Sequence, residues 1–391
     1  MKKEDILEDY GIAVLSRECS LMGRKEVLTG KAKFGIFGDG KEVPQVAMAR
    51  AFQYGDFRSG YYRDQTLMMA LGVHTVENFF AGLYAHADIK ADPTSAGRQM
   101  GGHFATHSLD EEGNWKDLLK QKNSSSDISC TAGQMPRLLG LAQASKVYRE
   151  LPNAESKGFS NHGNEVAWGT IGNASTSEGH FFETLNAAGV MQVPMVISVW
   201  DDEYGISVPK EYHTTKESIS EVMKGFQRDA NHKGFEIFVA KGWDYPTLYD
   251  IYQKAAKIAR KEHVPVLVHV KELTQPQGHS TSGSHERYKS AERLQWEKDF
   301  DCITKMREWI LAKGYAAEEE LQTIEEAAKK RVRDGKKKAW EAYMKPMETE
   351  RKELLQLLNS IQPKSIFATE LSQIPTLSRK VIMNVARKAL R

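Results

Sequence analysis

Two short polar segments of the chain combine residue types that could hold a metal ion and a phosphate. Gly172 and Asn173 follow one apolar run, and Asp201 and Asp202 follow another. Asn and Asp each offer a side-chain oxygen, and oxygen ligands with a bridging diphosphate suit Mg²⁺. The small residues 174–177 lead into a helix, whose N-terminus favours an anion. Such a turn is more often a plain connection than a site, so the first segment alone is a weak signal.

The elements that must bring these segments together follow from periodicity. Strands are predicted at 166–171, 193–200, 235–240 and 264–270, and helices at 179–191 and 245–260. Repeated strand–helix–strand units form parallel sheets with right-handed crossovers. Adjacent strands then present their carboxyl ends to one crevice, where such folds bind ligands. We therefore predict an α/β fold with a parallel sheet covered by helices on both faces, and with Asn173 close to Asp202.

The remaining sequence divides around this core. Residues 1–90 are predicted to form a helical N-terminal region with helices at 6–22 and 43–54. Residues 91–284 are predicted to form the α/β core. A predicted polar loop at 88–126 spans the boundary between the two regions. Residues 285–360 are rich in Glu, Lys, Arg and Ala at helical spacing, which predicts C-terminal helices. Residues 361–391 contain prolines and a basic end, and they are interpreted as a tail or connector.

Composition excludes several classes of partner. The 391 residues carry a formal net charge of only +2, so there is no global basic field for nucleic acid or an acidic membrane. No apolar stretch approaches the roughly 20 residues that a spanning helix needs. The three cysteines are widely separated and form no zinc-type pair. These features predict a cytoplasmic protein that acts on a small molecule.

The two polar segments resemble a known family. Residues 172–183 read GNASTSEGHFFE, and residues 198–209 read SVWDDEYGISVP. Both are similar to the alpha subunits of pyruvate and branched-chain 2-oxoacid dehydrogenases, and the resemblance covers most of residues 25–315. It implies the thiamine diphosphate-binding fold, thiamine diphosphate held through Mg²⁺ and, in some members, a K⁺ ion.

The resemblance also implies a metal site, although the acid and the amide stand in exchanged positions. The family places an acid first and an amide second, whereas this chain has Asn173 first and Asp202 second. The exchange preserves oxygen number and formal charge, and a carbonyl at Tyr204 completes the implied set. Asp201 and Glu203 add negative charge, and we expect them to point outward as a solvated acidic turn.

Further stretches supply the implied cofactor contacts. Tyr62 and Arg63 are similar to a family pair that hydrogen-bonds the diphosphate, a task that suits the planar fork of arginine. Residues 129–136 resemble the stretch whose backbone meets the aminopyrimidine, while residues 97–104 are expected to be structural. The full set of implied cofactor residues is Tyr62, Arg63, Ser129, Thr131, Gly133, Gly172, Ala174, Ser175, Ile206 and His279.

His279 is the implied catalytic residue. It lies in a segment, 278–282, that is similar to the family's active-site loop, and it follows a predicted parallel strand. A lone histidine is more often structural, so the resemblance carries this assignment. The loop arginine of the family is Gln275 here, which removes a cation from the site. His285 and Arg287 are candidates to replace it.

The resemblance implies a division of labour between chains. A beta subunit or fused beta module would supply the glutamate that activates the cofactor, and two alpha and two beta chains would assemble as a heterotetramer. Together they would decarboxylate a 2-oxoacid, with branched-chain substrates favoured, and pass the acyl group to a lipoyl-bearing acyltransferase core.

Two alternatives remain open, and a third is discounted. The chain could be the alpha chain of a pyruvate or acetoin dehydrogenase, or a non-catalytic assembly subunit with a degenerate cofactor site. A nicotinamide-dependent oxidoreductase would carry Gly-x-Gly-x-x-Gly after a strand, with an acid about 20 residues later, and the turn at Gly172 lacks this pattern.

Overall fold

The computed structural model describes residues 1–99, 101–151, 158–281 and 284–391. Its centre is a parallel sheet of six strands in the order β2-β1-β3-β4-β8-β7, beside a two-stranded antiparallel pair, β5-β6. The strands are β1 (Phe57–Ser59), β2 (Asn123–Ser124), β3 (Ala167–Gly172), β4 (Met195–Trp200), β5 (Tyr204–Gly205), β6 (Val208–Pro209), β7 (Glu236–Lys241) and β8 (Val266–Lys271).

Helices surround this sheet and extend beyond it at both ends of the chain. They are α1 (Lys3–Leu28), α2 (Glu42–Ala51), α3 (Gln65–Ala70), α4 (Val76–Leu83), α5 (Gln134–Glu150), α6 (Gly179–Met191), α7 (Ile219–Val222), α8 (Tyr245–Glu262), α9 (Ala291–Asp299), α10 (Cys302–Ala312), α11 (Glu318–Ile361), α12 (Ile366–Gln373) and α13 (Arg379–Ala389). Among the described residues, no helix combines the length and apolar content that crossing a membrane requires.

Both faces of the sheet are covered, as the predicted fold class requires. Along β4, Val196 and Trp200 pack into one core with residues of α1, α2 and α8, whereas Ile197 and Val199 pack into another with α5 and α6. A strand buried on both faces reads as a nearly continuous apolar run, which is why MVISVW is recognisable from sequence. The predicted α/β class is confirmed.

The strands at the other edge are too short to recognise by periodicity. β1 and β2 were not predicted, because three and two residues give no alternation to read, and both lie in segments interpreted as helix-rich or loop. Helix α1 is longer than predicted at both ends, and α2 ends at Ala51 because Phe52 is already extended. These elements matter because β1 leads directly into Tyr61, Tyr62 and Arg63.

The C-terminal region consists of helices α9 to α13 joined by short turns. Helix α11 packs against α1 and α4. Where a tail or connector was expected, α12 and α13 form a small core with the end of α11 that buries Leu371, Ile382 and Val385. The proposed division of the chain into domains stays a prediction.

Candidate active site

One cavity opens at the carboxyl ends of β1, β3 and β4. Its volume is about 420 Å³, within the range of small-molecule sites. All the predicted site residues except Gly133 line it: Tyr62, Arg63, Ser129, Thr131, Gly172, Asn173, Ala174, Ser175, Asp202, Tyr204, Ile206 and His279. Gly133 instead lies at the start of α5.

A buried acid, Asp64, holds the walls of the cavity in register. Its carboxylate accepts hydrogen bonds from Arg58 Nε at 2.7 Å, Thr170 Oγ1 at 2.5 Å and Trp200 Nε1 at 3.3 Å. These donors belong to β1, β3 and β4, so one side chain ties together the three strands that end at the cavity. Asp127 neutralises the other side of Arg58, with two bonds of 3.0 Å each.

Arg63 brings a buried positive charge to the cavity wall. It is 4% exposed, and its guanidinium donates to the carbonyl of Phe37 at 2.6 Å and to the carbonyl and Nδ1 of His279, both at 2.9 Å. In the part of the chain that the structure describes, no carboxylate forms an ion pair with it. A buried charge without a counter-charge is costly, so an anionic ligand would stabilise this arrangement.

His279 is neutral at physiological pH in this environment. Burial, together with the neighbouring Arg63 charge, lowers the pKa of His279 to about 4. Because a guanidinium can only donate, Nδ1 of the ring accepts from Arg63, and the ring proton is therefore assigned to Nε2. The ring can thus donate one hydrogen bond from Nε2.

Asn173 lies where β3 gives way to a tight turn. Its backbone N–H donates to the carbonyl of Trp200 at 3.0 Å, which joins the ends of β3 and β4. Its side chain is 4% exposed, and Nδ2 has no hydrogen-bond partner among the described residues. A buried amide donor without a partner costs free energy, so this atom also points to a missing polar ligand.

The turn after β4 crosses directly over the turn after β3. A Cβ at Gly205 would lie 2.6 Å from the Cβ of Ala174, so only glycine permits this approach. Glu203 and Ile206 both have positive φ, at 70° and 58°, which is unusual for a β-branched residue such as Ile206 and marks local strain. Its side chain remains 61% exposed at the mouth of the cavity.

The acids of the turn after β4 do not form one solvent-exposed group. The expectation that Asp201 points outward was wrong: it is 4% exposed and bonds to His269 Nε2 at 2.8 Å, below the cavity. The reason is that β8 supplies a histidine at the level where β4 ends. Glu203 does face away, and it pairs with Lys210 and Arg293.

Asp202 faces the cavity, but it already has a cationic partner. Lys41 Nζ lies 2.9 Å from Asp202 Oδ2, and the lysine is only 1% exposed. Nearby charges, Lys41 first among them, outweigh burial and lower the pKa of Asp202, while burial lowers the pKa of Lys41. Among the described residues, no group of three His, Cys, Asp or Glu side chains is arranged to hold a metal ion.

The sequence model of the dehydrogenase E1 component family matches residues 12–348. The chain belongs to this family. The resemblance predicted from the two polar segments is therefore confirmed, and the E1 component fold accounts for the position of the cavity.

Curated relatives of this E1 component come from bacteria and eukaryotes. The 2-oxoisovalerate dehydrogenase subunit alpha of Bacillus subtilis is 27% identical over 76% of this chain and 78% of its own length. The pyruvate dehydrogenase E1 component subunit alpha of Acholeplasma laidlawii is 27% identical over 88% and 86%. The mitochondrial 2-oxoisovalerate dehydrogenase subunit alpha 1 of Arabidopsis thaliana is 26% identical over 88% and 64%.

Sequence reasoning did not assign two basic side chains, those of Lys41 and His103, to the E1 component cavity. Lys41 precedes α2 and looks like an ordinary residue before a helix, so no local pattern reveals that it reaches Asp202. His103 was placed in a segment expected to be structural, yet it lines the cavity and lies 2.7 Å from Ser129 Oγ. His285 and Arg287, the suggested replacements for the missing loop cation, do not line it.

Proposed function

We propose that this chain is the alpha-type part of a thiamine diphosphate-dependent 2-oxoacid dehydrogenase. With a beta chain it would decarboxylate a 2-oxoacid and pass the acyl group to a lipoyl carrier. Bound thiamine diphosphate would supply a nucleophilic thiazolium carbon and an electron sink for the loss of CO₂. The observation that carries the proposal is Arg63, a buried cation that has no carboxylate partner among the described residues and that lies at the edge of an α/β sheet where ligands bind.

The residues of the cavity fit a diphosphate. Arg63 offers a positive charge, and Asn173 Nδ2 is a buried donor for which the described part of the chain supplies no partner. The turn at 174–177 leads into the N-terminus of α6. We assign the diphosphate to these groups together with Tyr62, and the ring Nε2–H of His279 to the same anion or to the substrate carboxylate.

Fewer groups of the cavity suit Mg²⁺ than suit a diphosphate. Asn173, Asp202 and the carbonyl of Tyr204 have the oxygen chemistry that Mg²⁺ prefers, and we propose them as its ligands. Asp202 is the only carboxylate among the residues that line the cavity, and it is shared with Lys41. A K⁺ ion near the segment that contains Ser129, Thr131 and Gly133 remains a prediction from the resemblance.

The open side of the cavity supports a partner chain. Ser129, Thr131 and Ile206 line the cavity yet are exposed. We propose that a beta chain covers them and brings the glutamate that activates the cofactor. Assembly with an acyltransferase core and a cytoplasmic location also remain predictions.

The test is calorimetric titration of thiamine diphosphate with Mg²⁺ into the full chain assembled with its beta chain. We expect binding that Arg63→Met weakens by about a hundredfold, because a hydrogen-bonded charge contributes roughly 1.5–3 kcal/mol. Arg387→Met, on the exposed side of α13, is the matched control and should have no effect. Absence of binding in the assembled pair would favour a non-catalytic assembly subunit.

Substrate preference needs a separate measurement on the same assembly. Decarboxylation can be followed with an artificial electron acceptor, which removes the need for the lipoyl carrier. We expect kcat/KM for branched-chain 2-oxoacids to exceed that for pyruvate. The reverse order would assign a pyruvate dehydrogenase alpha chain.

A further inference from the structure

Lys41 is fixed in the cleft by three acceptors from two segments. Its ammonium donates to Asp202 Oδ2 at 2.9 Å, to the Thr274 carbonyl at 3.1 Å and to Gln275 Oε1 at 2.6 Å. An ammonium has three donors, so its hydrogen-bonding capacity is filled. The preceding Gly40 has φ of 84°, and a Cβ there would collide with the Thr274 carbonyl. The chain therefore requires glycine in order to seat this lysine.

Lys41 changes the net charge of the cavity wall. Among the residues that line the cavity, the cations are Lys41 and Arg63, and the carboxylate is Asp202. The wall is therefore net positive without any metal ion. Since Gln275 stands where the resemblance implies an arginine, the lysine also restores a cation at the place where the loop lacks one.

We infer that Lys41 is a built-in cation of the cleft, which shares Asp202 with a divalent ion and also attracts the bound diphosphate. Diphosphate binding then has a component that needs no metal. The inference rests on the proposed function, because that function supplies the anion. The inference goes beyond the proposed function because it assigns part of the charge that neutralises the diphosphate to the side chain of Lys41.

The role of Asp202 separates this inference from a purely metal-dependent site. If Asp202 acts only as a metal ligand, its removal weakens diphosphate binding or leaves metal-free binding unchanged. If Asp202 also neutralises Lys41, its removal frees the ammonium for the anion. Asp202→Asn should therefore strengthen metal-free binding while it weakens the contribution of Mg²⁺.

The experiment titrates inorganic pyrophosphate into the full chain by calorimetry, once with EDTA and once with Mg²⁺. In EDTA we expect measurable binding, an approximately tenfold gain in affinity for Asp202→Asn and an approximately tenfold loss for Lys41→Met, as suits one charge-assisted contact. Lys336→Met, which removes another lysine paired with a buried acid, Glu26, at 3.2 Å, is the matched control and should leave affinity unchanged.

A second readout avoids the anion altogether. Mn²⁺ binding, followed by electron paramagnetic resonance, should tighten several-fold in Lys41→Met, because the ammonium no longer competes for Asp202. The double variant Lys41→Met with Asp202→Asn removes both charges of the Lys41–Asp202 pair and so leaves neither of them buried alone, and it should fold even if Lys41→Met does not. In EDTA it should bind pyrophosphate more weakly than the wild-type chain, because Arg63 is then the remaining cation among the described residues of the cavity wall. Thermal unfolding of each variant confirms folding.

The outcomes distinguish the two proposals. Pyrophosphate binding with Mg²⁺ but none in EDTA overturns the role of Lys41 and leaves the proposed function standing. Equal metal-free affinity in the wild-type chain and the double variant does the same. No binding under either condition overturns both.

Discussion

Two arginines close together in sequence, Arg58 and Arg63, show how burial serves different ends. Both are at least 96% buried. Arg58 forms ion pairs with the carboxylates of Asp64 and Asp127, whereas Arg63 contacts backbone carbonyls, the ring of His279 and the face of the Tyr62 ring. A charge whose partners lie within the chain holds the fold together. Arg63 has no carboxylate partner among the described residues, which is why we propose that it serves an anionic ligand.

The largest loss of stability is expected when Arg58, the arginine with carboxylate partners, is replaced. Arg58→Met would leave Asp64 and Asp127 buried without their cation, and breaking such a network typically costs about 3–5 kcal/mol of unfolding free energy. Denaturant unfolding monitored by circular dichroism measures this loss. A change below about 1 kcal/mol would mean that Arg58 does not hold the strands in register.

Replacement of Arg63 should affect ligand binding much more than stability. Arg63→Met removes a buried charge without leaving an acid unpaired, so the free energy of unfolding should change by about 1 kcal/mol or less. The same variant should bind diphosphate far more weakly. If its stability falls as much as that of Arg58→Met, the contrast between the two arginines fails.

A smaller effect concerns pH. The pKa of His279 is about 4 in the folded chain and near 6.5 when unfolded, so between these values the unfolded chain binds more protons. Stability should therefore decline as pH falls from about 6.5 to 4, and His279→Gln should decline less. Melting temperatures across this range measure the difference.

Arg63→Met provides the control for that pH dependence. The neighbouring guanidinium is the second cause of the lowered pKa of His279, after burial. Without it, the pKa of the ring should rise, and the difference in slope between variants with and without His279 should shrink. An unchanged difference would assign the whole shift to burial.

The sequence predicts the parts of this molecule that repeat a regular pattern. The strands β3, β4, β7 and β8 were predicted within a few residues. The apolar runs of β3, β4 and β8 report burial on both faces, whereas β7 lies at the edge of the sheet and is only partly buried. From those strands alone, Asn173 and Asp202 could be placed at a common edge. That much needs only the rule that parallel strands end together.

What the sequence does not predict depends on partners distant along the chain. The pairing of Lys41 with Asp202 joins residues separated by most of the sheet, and the burial of Asp201 depends on His269 from β8. No local pattern encodes either contact. Where an isolated acid is usually solvated, a partner of this kind reverses the expectation.

Asp64 carries a consequence for the order in which the chain folds. It accepts hydrogen bonds from Thr170 and Trp200, which lie 106 and 136 residues away along the chain. Closing such loops is slow, and the cavity therefore forms only after the central strands have associated. Amide hydrogens beneath Asp64 would then exchange only through global unfolding, while those at the cavity mouth exchange through local opening. We therefore expect the cavity to assemble late in folding and its mouth to open before the sheet beneath it does.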